Sequence, residues 1–281
     1  MTGYLFSSIK IPNDILSTRR DTSEEITGGL QRLLPYNELV ERLVVNTHLC
    51  DAQRKIVHQR RFVPRFYPVV ASFHCLQELV LDSVDLENDT NCQILFEGLA
   101  NLKLLHLSHS DLTETRCRFM CALPLLETLV LDSCIPQSIL HRVMEKISQI
   151  PTLKCLAIVS TYMTDEAFAH LTKLPSLKKL ESRYWNCTSR GPFSFTPLHL
   201  VQSLEEFSSI DRRRIYSQSL INDVMFHIAK CHRLKALAFE RCEELAFSHS
   251  NRLTNMEKLI VKLSVIISTT SHSRVYRFYE I

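Results

Sequence analysis

Histidine and cysteine are the residue types in this chain with the widest chemical range, because they ligate metals, transfer protons and attack electrophiles. The 281 residues include 12 histidines and 10 cysteines. No Cys-x-x-Cys or His-Glu-x-x-His occurs, and Cys117-x-x-x-Cys121 has no second pair at metal-ligand spacing. The sequence also contains no phosphate-binding loop, dinucleotide fingerprint or nucleophile elbow, and it has only 5 glycines from which to build one. We therefore predict no catalytic residue, no metal site and no cofactor.

His106 is the histidine best placed for proton transfer, since Asp82 and Asp132 fall on neighbouring predicted strands. A histidine beside carboxylates can act as a general base. No nucleophile or oxyanion-stabilising group accompanies it in the sequence. We interpret His106 as a surface histidine and predict that the chain is not an enzyme.

The composition argues against a nucleic-acid-binding protein and against a membrane-spanning one. The chain has 33 basic and 30 acidic side chains, a formal net charge of +3 and 45% hydrophobic residues. This balance lacks the basic footprint of a nucleic-acid-binding protein, so nucleic acid is not an expected partner. No apolar run is long enough for a membrane span or a secretory signal. We expect an intracellular protein, cytoplasmic in the first instance, with nuclear or cytoskeletal locations as alternatives.

An internal repeat of the form apolar-x-x-apolar-x-apolar organises most of the chain. Its copies start 22 to 30 residues apart, and a possible earlier copy reads Val40/Leu43/Val45. A period of this length indicates a solenoid, in which each unit buries its apolar face against its neighbours. The copies begin at Leu76, Leu102, Leu126, Leu153, Leu177, Leu204, Leu234 and Met256.

Each repeat changes from strand to helix periodicity. The leucines of the phrase alternate with other residues, as in a short strand with one buried face. Helical spacing follows, for example in the apolar series from Ile139 to Ile150 before Pro151. In the next unit Thr164 is a predicted N-cap, with Asp165 and Glu166 in the first turn.

These residues resemble the leucine-rich repeat proteins, in particular the cysteine-containing class with repeats of about 26 residues. Leu126-x-x-Leu129-x-Leu131-x-x-Cys134 matches the strand and cysteine of that class, and the same phrase returns at Leu234 with Cys242. Val84, Ser110, Thr161 and Trp185 stand where the class has cysteine or asparagine, and Ser182 replaces an inward leucine. The resemblance implies an α/β horseshoe with parallel strands on the concave face, helices on the convex face, and protein binding as the activity.

The chain divides into three predicted regions. Residues 1–70 form a mostly helical cap, residues 71–263 form seven to eight repeats that are irregular around 183–217, and residues 264–281 form a terminal β cap. An alternative for the first region is a degenerate F-box, because Leu34-Pro35-Tyr36-Asn37-Glu38-Leu39-Val40 resembles the opening of that module.

The predicted concave face supplies the candidate partner-binding residues. Stacking the strands places an apolar centre beside acidic edges in the first four repeats, which suggests a protein partner, possibly with a basic surface. Small apolar residues that merely form good strands are the alternative interpretation. The candidates on this face are Glu78, Val80, Asp82, Leu104, His106, Val130 and Asp132.

An aromatic and basic segment interrupts the later repeats. Trp185, Arg212, Arg213 and Arg214 are further candidates, since Trp and Arg concentrate binding energy at interfaces. A loop whose aromatic side chains fold onto the core is the alternative. The leading hypothesis is a non-catalytic scaffold or adaptor that binds one or more proteins. A substrate receptor of a ubiquitin ligase and a structural subunit of a cytoskeletal or ribonucleoprotein assembly are the other two.

Overall fold

A computed structural model describes residues 8–11, 22–46, 60–61, 64–86, 88–159, 161, 163–182, 201–210, 226, 228, 230–242, 257–263, 265–267 and 275–277. The chain divides into two compact units, Met1–Leu153 and Lys154–Ile281. Among the described residues, no helix is long and apolar enough to cross a membrane.

The first unit is built on a parallel sheet with the strand order β1-β2-β4-β6-β7. A separate two-stranded parallel sheet joins β3 to β5. The strands are β1 (Ser8–Ile11), β2 (Arg42–Asn46), β3 (Arg60–Arg61), β4 (Glu78–Asp82), β5 (Val84–Asp85), β6 (Leu104–Ser108) and β7 (Thr128–Asp132).

Five α-helices accompany these strands, and each packs against the next along the chain. Two 3₁₀ segments, Leu34–Leu39 and Gln137–Ile139, adjoin α1 and α5. The helices are α1 (Thr22–Leu33), α2 (Phe66–Ala71), α3 (Asp89–Glu97), α4 (Glu114–Cys121) and α5 (Leu140–Ile147).

The core of the first unit consists of the repeated leucines, as the alternation in the sequence predicts. In β4, Leu79 and Leu81 are fully buried, while the residues on either side of each are partly exposed. The equivalent leucines of β6 and β7 are also fully buried. Each strand therefore has one buried face and one open face.

Side-chain caps fix where the short helices begin. The Asn88 side chain accepts a hydrogen bond from the Asn91 amide at 2.8 Å, and Thr113 does the same for the Arg116 amide at 3.2 Å. Each cap satisfies an amide that has no partner within its helix. Helices α3 and α4, with nine and eight residues, depend on these caps and on packing, because isolated helices of this length are not stable. The six-residue helix α2 has no side-chain cap and depends on packing, since five of its residues are buried.

The second unit repeats this architecture. Its parallel sheet has the order β8-β9-β10-β11-β12, and β13 pairs antiparallel with β14 within the region predicted as a terminal β cap. A 3₁₀ segment, His170–Lys173, extends α6. The elements are β8 (Cys155–Val159), α6 (Asp165–Ala169), β9 (Lys179–Ser182), β10 (Glu206–Ile210), β11 (Ala236–Cys242), β12 (Lys258–Leu263), β13 (Val265–Ile267) and β14 (Val275–Arg277).

The same pair of backbone hydrogen bonds recurs at the start of the strands and joins neighbouring repeats. The amides of Lys103 and Leu104 both donate to the Gln77 carbonyl, at 2.8 and 2.9 Å. In the second unit, the amides of Lys178 and Lys179 donate in the same way to the Lys154 carbonyl. The same geometry at equivalent positions confirms the repeat in physical terms.

The fold is an α/β leucine-rich repeat solenoid, as predicted. The predicted N-cap is confirmed, since Thr164 Oγ1 accepts a hydrogen bond from the Ala167 amide at 3.2 Å. The possible earlier repeat copy at residues 40–45 leads into β2, in which Leu43 and Val45 are fully buried. The region predicted as a helical cap thus contains strands as well as α1, and the predicted domain boundaries stay predictions.

Candidate functional site

The open face of the first unit carries three rows of side chains in register across β2, β4, β6 and β7. We call this surface the open face; it lies opposite the buried leucines. The first row is Arg42, Glu78, Leu104 and Thr128; the central row is Val44, Val80, His106 and Val130; the last row, from β4 onward, is Asp82, Ser108 and Asp132.

The centre of the open face is apolar and partly exposed. Val80, Leu104, His106 and Val130 all retain partial exposure, whereas the leucines on the other side of the same strands have none. The predicted columns are therefore present in the register. Whether a partner binds them stays a prediction.

In the first row, a basic and an acidic side chain form an ion pair. Arg42 Nε lies 2.8 Å from Glu78 Oε2, and both side chains are about half exposed (50% and 44%). One residue before this row, Lys103 Nζ donates to Gln77 Oε1 at 3.0 Å. The predicted acidic edge at Glu78 is consequently occupied by an arginine of the same face.

The last row holds two carboxylates in fixed positions. Ser83 Oγ donates to Asp82 Oδ1 at 3.3 Å, and Ser133 Oγ donates to Asp132 Oδ1 at 3.0 Å. His109 Nδ1 also lies 3.4 Å from Asp82 Oδ1. Only 13% of the Asp82 side chain is exposed.

Strands β4, β6 and β7 are each followed by a residue in the left-handed conformation. Ser83, His109 and Ser133 have φ angles of 58°, 51° and 54°, a conformation that costs energy for residues with a Cβ. The cost is offset by hydrogen bonds, because the Ser83 amide donates to the Ser108 carbonyl and the His109 amide donates to the Asp132 carbonyl, both at 2.8 Å. The same turn is therefore reproduced from repeat to repeat along the last row.

A serine–histidine pair lies at the middle of the open face. Ser108 Oγ and His106 Nε2 are 2.9 Å apart, which is the distance that nucleophilic activation requires. Acyl transfer also needs amides directed at the developing oxyanion. The adjacent amides of Ser83 and His109 are instead committed to carbonyls of neighbouring strands. The geometry supports a structural hydrogen bond better than a catalytic pair.

The buried thiols are poor nucleophiles. Burial raises the pKa of the Cys134 thiol to about 12, and Cys134 Sγ donates to the Leu107 and Asp132 carbonyls at 3.2 and 3.1 Å. Burial likewise raises the pKa of Cys92 to about 12. A hydrogen bond with Cys121, together with burial, raises the pKa of Cys117. Among the described residues, no group of three or more His, Cys, Asp or Glu side chains could hold a metal ion.

The corresponding face of the second unit carries ion pairs between its own side chains. Its central row reads Ala157, Glu181, Ser208 and Ala238. Beside it, Lys179 Nζ lies 3.1 Å from Glu206 Oε2, and this hydrogen bond raises the pKa of Lys179.

A second set of ion pairs lies one residue before Lys179 and Glu206 along each strand. Lys178 Nζ lies 3.0 Å from Glu205 Oε1 and lowers the pKa of Glu205, and Lys235 lies between Glu205 and Glu257 at 3.9 and 3.7 Å. Such exposed pairs contribute little to stability. They do pair the charged side chains at this edge of the sheet with one another.

Sequence reasoning missed the contribution of β2 to the open face. The Val40/Leu43/Val45 phrase indicates Arg42 and Val44 as residues of the open face, because residues that alternate with inward positions must face the other way. The recurring Asp-Ser pairs at 82–83 and 132–133 could have indicated the turns at the strand ends. The remaining candidates, Trp185 and Arg212, Arg213 and Arg214, lie outside the described residues.

A scan of protein-family models gives no match to this chain, and a sequence comparison with curated proteins gives none either. Among solved structures, an internalin from Listeria monocytogenes str. 4b F2365 is similar, with a TM-score of 0.50 and 14% sequence identity. The similarity covers 79% of this chain and 54% of the internalin chain, so this chain spans about half the length of that protein. At this identity the likeness shows the fold alone, which is that of a leucine-rich repeat protein.

Proposed function

We propose that this chain is a non-catalytic scaffold or adaptor that binds a protein partner on the open face of the first unit. The observation that carries the proposal is the apolar centre formed by Val80 and Val130, which are in register on either side of His106, together with Leu104 of the first row; each of these side chains is partly exposed. Exposed apolar patches with a polar rim are typical of protein-binding surfaces. Arg42, Glu78, Asp82 and Asp132 supply that rim.

The absence of catalysis is part of the same proposal. The Ser108–His106 pair has its neighbouring amides committed to the sheet, and the Cys92 and Cys134 thiols are held in the protonated form by burial. Leucine-rich repeat surfaces act through shape and side-chain chemistry spread over several strands, which is what the three rows provide.

The test is a double substitution on the open face of the full chain. Val80→Glu with Val130→Glu places two charges in the apolar centre without touching a buried leucine. We expect it to abolish the co-purification of the partners that the wild-type chain captures stoichiometrically from its native cells, with nuclease present. Circular dichroism and thermal unfolding check that the fold is kept.

A matched control places two glutamates outside the open face. Ile94 and Leu125 are exposed apolar residues outside the strands (39% and 43%). Ile94→Glu with Leu125→Glu should leave partner capture unchanged. Equal capture by the wild-type chain and the Val80/Val130 variant would contradict a role for the open face.

We infer that the repeats are of the cysteine-containing class. Cys134 supports this, since its thiol is buried beneath the end of β7 and bonds carbonyls of two strands. Ser110 occupies the equivalent position one repeat earlier, and its hydroxyl donates to the Val84 carbonyl at 2.8 Å. An intracellular location is part of the same inference, supported by Cys117 and Cys121, which remain free thiols although their hydrogen-bonded sulfur atoms lie 3.7 Å apart. Cell fractionation tests that location.

A second candidate function, a ubiquitin-ligase substrate receptor, has one observation in its favour. In the 3₁₀ segment Leu34–Leu39, Tyr36 and Leu39 are exposed (49% and 42%), as a docking segment requires. Co-purification of a ligase core subunit with the full chain, and its loss on Tyr36→Ala with Leu39→Ala, would support this function. Purification without any such subunit would exclude it.

A further inference from the structure

Exposed apolar side chains are concentrated on the 3₁₀ segment Leu34–Leu39. The described residues include five large apolar side chains that are exposed, and two of them, Tyr36 (49%) and Leu39 (42%), belong to this one segment. Leu33, directly before the segment, is half-buried. Neighbouring apolar side chains at the surface are typical of a contact with another protein. None of these residues belongs to the open face, so they form a second candidate contact surface.

The inner side of the segment holds it in place. Side chains three residues apart in a 3₁₀ helix lie on the same side. Val40 is 1% exposed, and Asn37, three residues earlier, donates from Nδ2 to the Ser72 carbonyl at 3.1 Å. The backbone of Tyr36 departs from helical angles (φ −115°, ψ 19°), yet the exposure keeps the period of three residues. The outer side is therefore a fixed surface.

The same period divides the outer side into an apolar stripe and a charged stripe. The apolar stripe consists of Leu33, Tyr36 and Leu39, and the charged stripe beside it consists of Arg32, Pro35 and Glu38. Arg32 and Glu38 are exposed, and neither forms an ion pair with another residue in the part of the chain that the structure describes. The charged stripe is therefore basic at one end and acidic at the other.

Such a surface is complementary to a second copy of itself. When two identical stripes meet antiparallel across a twofold axis at Tyr36, Leu33 lies opposite Leu39 of the second copy. Arg32 then lies about 4 Å out of register with Glu38 of the second copy, because the two positions differ by two residues of 3₁₀ rise, and an arginine side chain spans that offset. A stripe with one charge of each sign does not favour a uniformly basic or acidic partner, but it matches its own inverse.

We propose that the apolar stripe of Leu33, Tyr36 and Leu39, flanked by Arg32 and Glu38, joins two copies of this chain in a symmetric dimer. Its residues are separate from those of the open face, so the dimer goes beyond the proposed function and does not depend on it. Three apolar side chains per copy are fewer than a permanent interface buries, so we expect a dimer that dissociates on dilution.

Sedimentation equilibrium of the purified full chain over a range of concentrations is the test. The wild-type chain should form a reversible dimer. Arg32→Glu places like charges at both intermolecular ion pairs, and so does Glu38→Arg. Each variant should therefore dimerise about tenfold more weakly. A wild-type chain that is monomeric up to the limit of its solubility would overturn the inference.

Mixing the two variants tests the twofold arrangement directly. A heterodimer of the Arg32→Glu chain with the Glu38→Arg chain again pairs opposite charges at both ends. We therefore expect the heterodimer to form with the affinity of the wild-type dimer, and this recovery would also show that both variants are folded. No recovery, with native circular dichroism for both variants, would overturn the inference.

The control reverses charges outside this surface. Arg118 in α4 and Glu145 in α5 are exposed. Arg118→Glu and Glu145→Arg should each dimerise as the wild-type chain does. Equal weakening by these two variants would show that association depends on net charge and not on the stripes, which would overturn the inference.

Other occupants give different results. A dimer that Val80→Glu with Val130→Glu dissociates, but that Arg32→Glu leaves intact, would place the contact on the open face and overturn the inference. A monomeric chain that binds a ligase core subunit through Tyr36 and Leu39 would assign this surface to that subunit, with the same consequence. A chain that never dimerises, but that loses partner capture on Val80→Glu with Val130→Glu, overturns the dimer alone and leaves the proposed function in place.

Discussion

Two hydroxyl groups in this chain form hydrogen bonds from one repeat to the repeat before it. Ser110 Oγ donates to the Val84 carbonyl at 2.8 Å, and Thr152 Oγ1 donates to the Leu126 carbonyl at 2.7 Å. Thr161, after β8, is different: only 3% of it is exposed, and its hydroxyl has no hydrogen-bond partner among the described residues. A buried hydroxyl without a partner loses its hydration without compensation.

Thr161→Val should therefore stabilise the protein. Valine has the same shape and no polar atom to desolvate, so we expect a gain of about 1 kcal/mol in the free energy of unfolding. Thr152→Val is the matched control and should cost about 1 kcal/mol, because it removes a hydrogen bond between repeats. Urea unfolding of the two variants measures both values. A loss of stability in Thr161→Val would show that the hydroxyl is satisfied.

At the scale of the element, the residue just before the first leucine of a repeat forms a hydrogen bond to the repeat before it in three of the repeats. Thr152 donates to the Leu126 carbonyl, Ser203 Oγ donates to the Leu177 carbonyl at 2.7 Å, and Asn101 Nδ2 donates to the His74 carbonyl at 2.9 Å. Leu125 occupies this position before β7, where it cannot donate and is 43% exposed.

Leu125→Thr should restore the tie. The new hydroxyl would donate to the Leu102 carbonyl, the equivalent of the acceptors at Leu126 and Leu177, and we expect about 1 kcal/mol of added stability. Leu39→Thr, at a similarly exposed leucine in the 3₁₀ segment Leu34–Leu39, controls for the loss of exposed apolar surface. Equal unfolding free energies for the two variants would contradict the hydrogen bond.

The packing of α2 on α3 depends on a close approach at Gly98. A Cβ atom at this position would lie 2.5 Å from Ala71 Cβ and 2.6 Å from the Ala71 carbonyl oxygen. Gly98→Ala should therefore destabilise the protein by about 1–3 kcal/mol through overpacking. Gly29→Ala in α1 meets no described atom within 4 Å and should instead add about 0.5–1 kcal/mol through helix propensity. Thermal unfolding that ranks the two variants in the reverse order would contradict this packing.

The strands could be predicted from sequence because the phrase that encodes them buries its leucines in the same way in β4, β6 and β7. Leu79, Leu105 and Leu129 alternate with partly exposed residues, and that alternation is visible in the sequence. β1 was not predicted, because Ser8–Ile11 carries too few apolar residues to show a period. The pairing of Glu78 with Arg42 was also not predicted, because the predicted columns begin at β4 and leave out β2, the strand that carries Arg42.

At the scale of the whole molecule, buried thiols couple stability to alkaline pH. Burial raises the pKa of Cys92 and Cys134 from 9.0 to about 12, and that of Cys231 from 9.0 to about 11. Above pH 9 the unfolded chain releases these protons while the folded chain retains them. The unfolded state then binds fewer protons, so the free energy of unfolding falls as the pH rises from 9 towards 12.

Cys134→Ser isolates one of these thiols. Ser110 shows that a serine at the equivalent position is buried and hydrogen-bonds to the Val84 carbonyl, so we expect the variant to fold. Serine does not titrate in this range, and the variant should lose about 1.4 kcal/mol less stability per pH unit than the wild-type chain between pH 9 and 12. Urea unfolding at a series of pH values measures the two slopes. Other groups that titrate here, lysines and tyrosines among them, cancel in the difference between the two proteins. Identical slopes would mean that the Cys134 thiol ionises in the folded chain as readily as in the unfolded one, and that its position beneath the end of β7 does not exclude water.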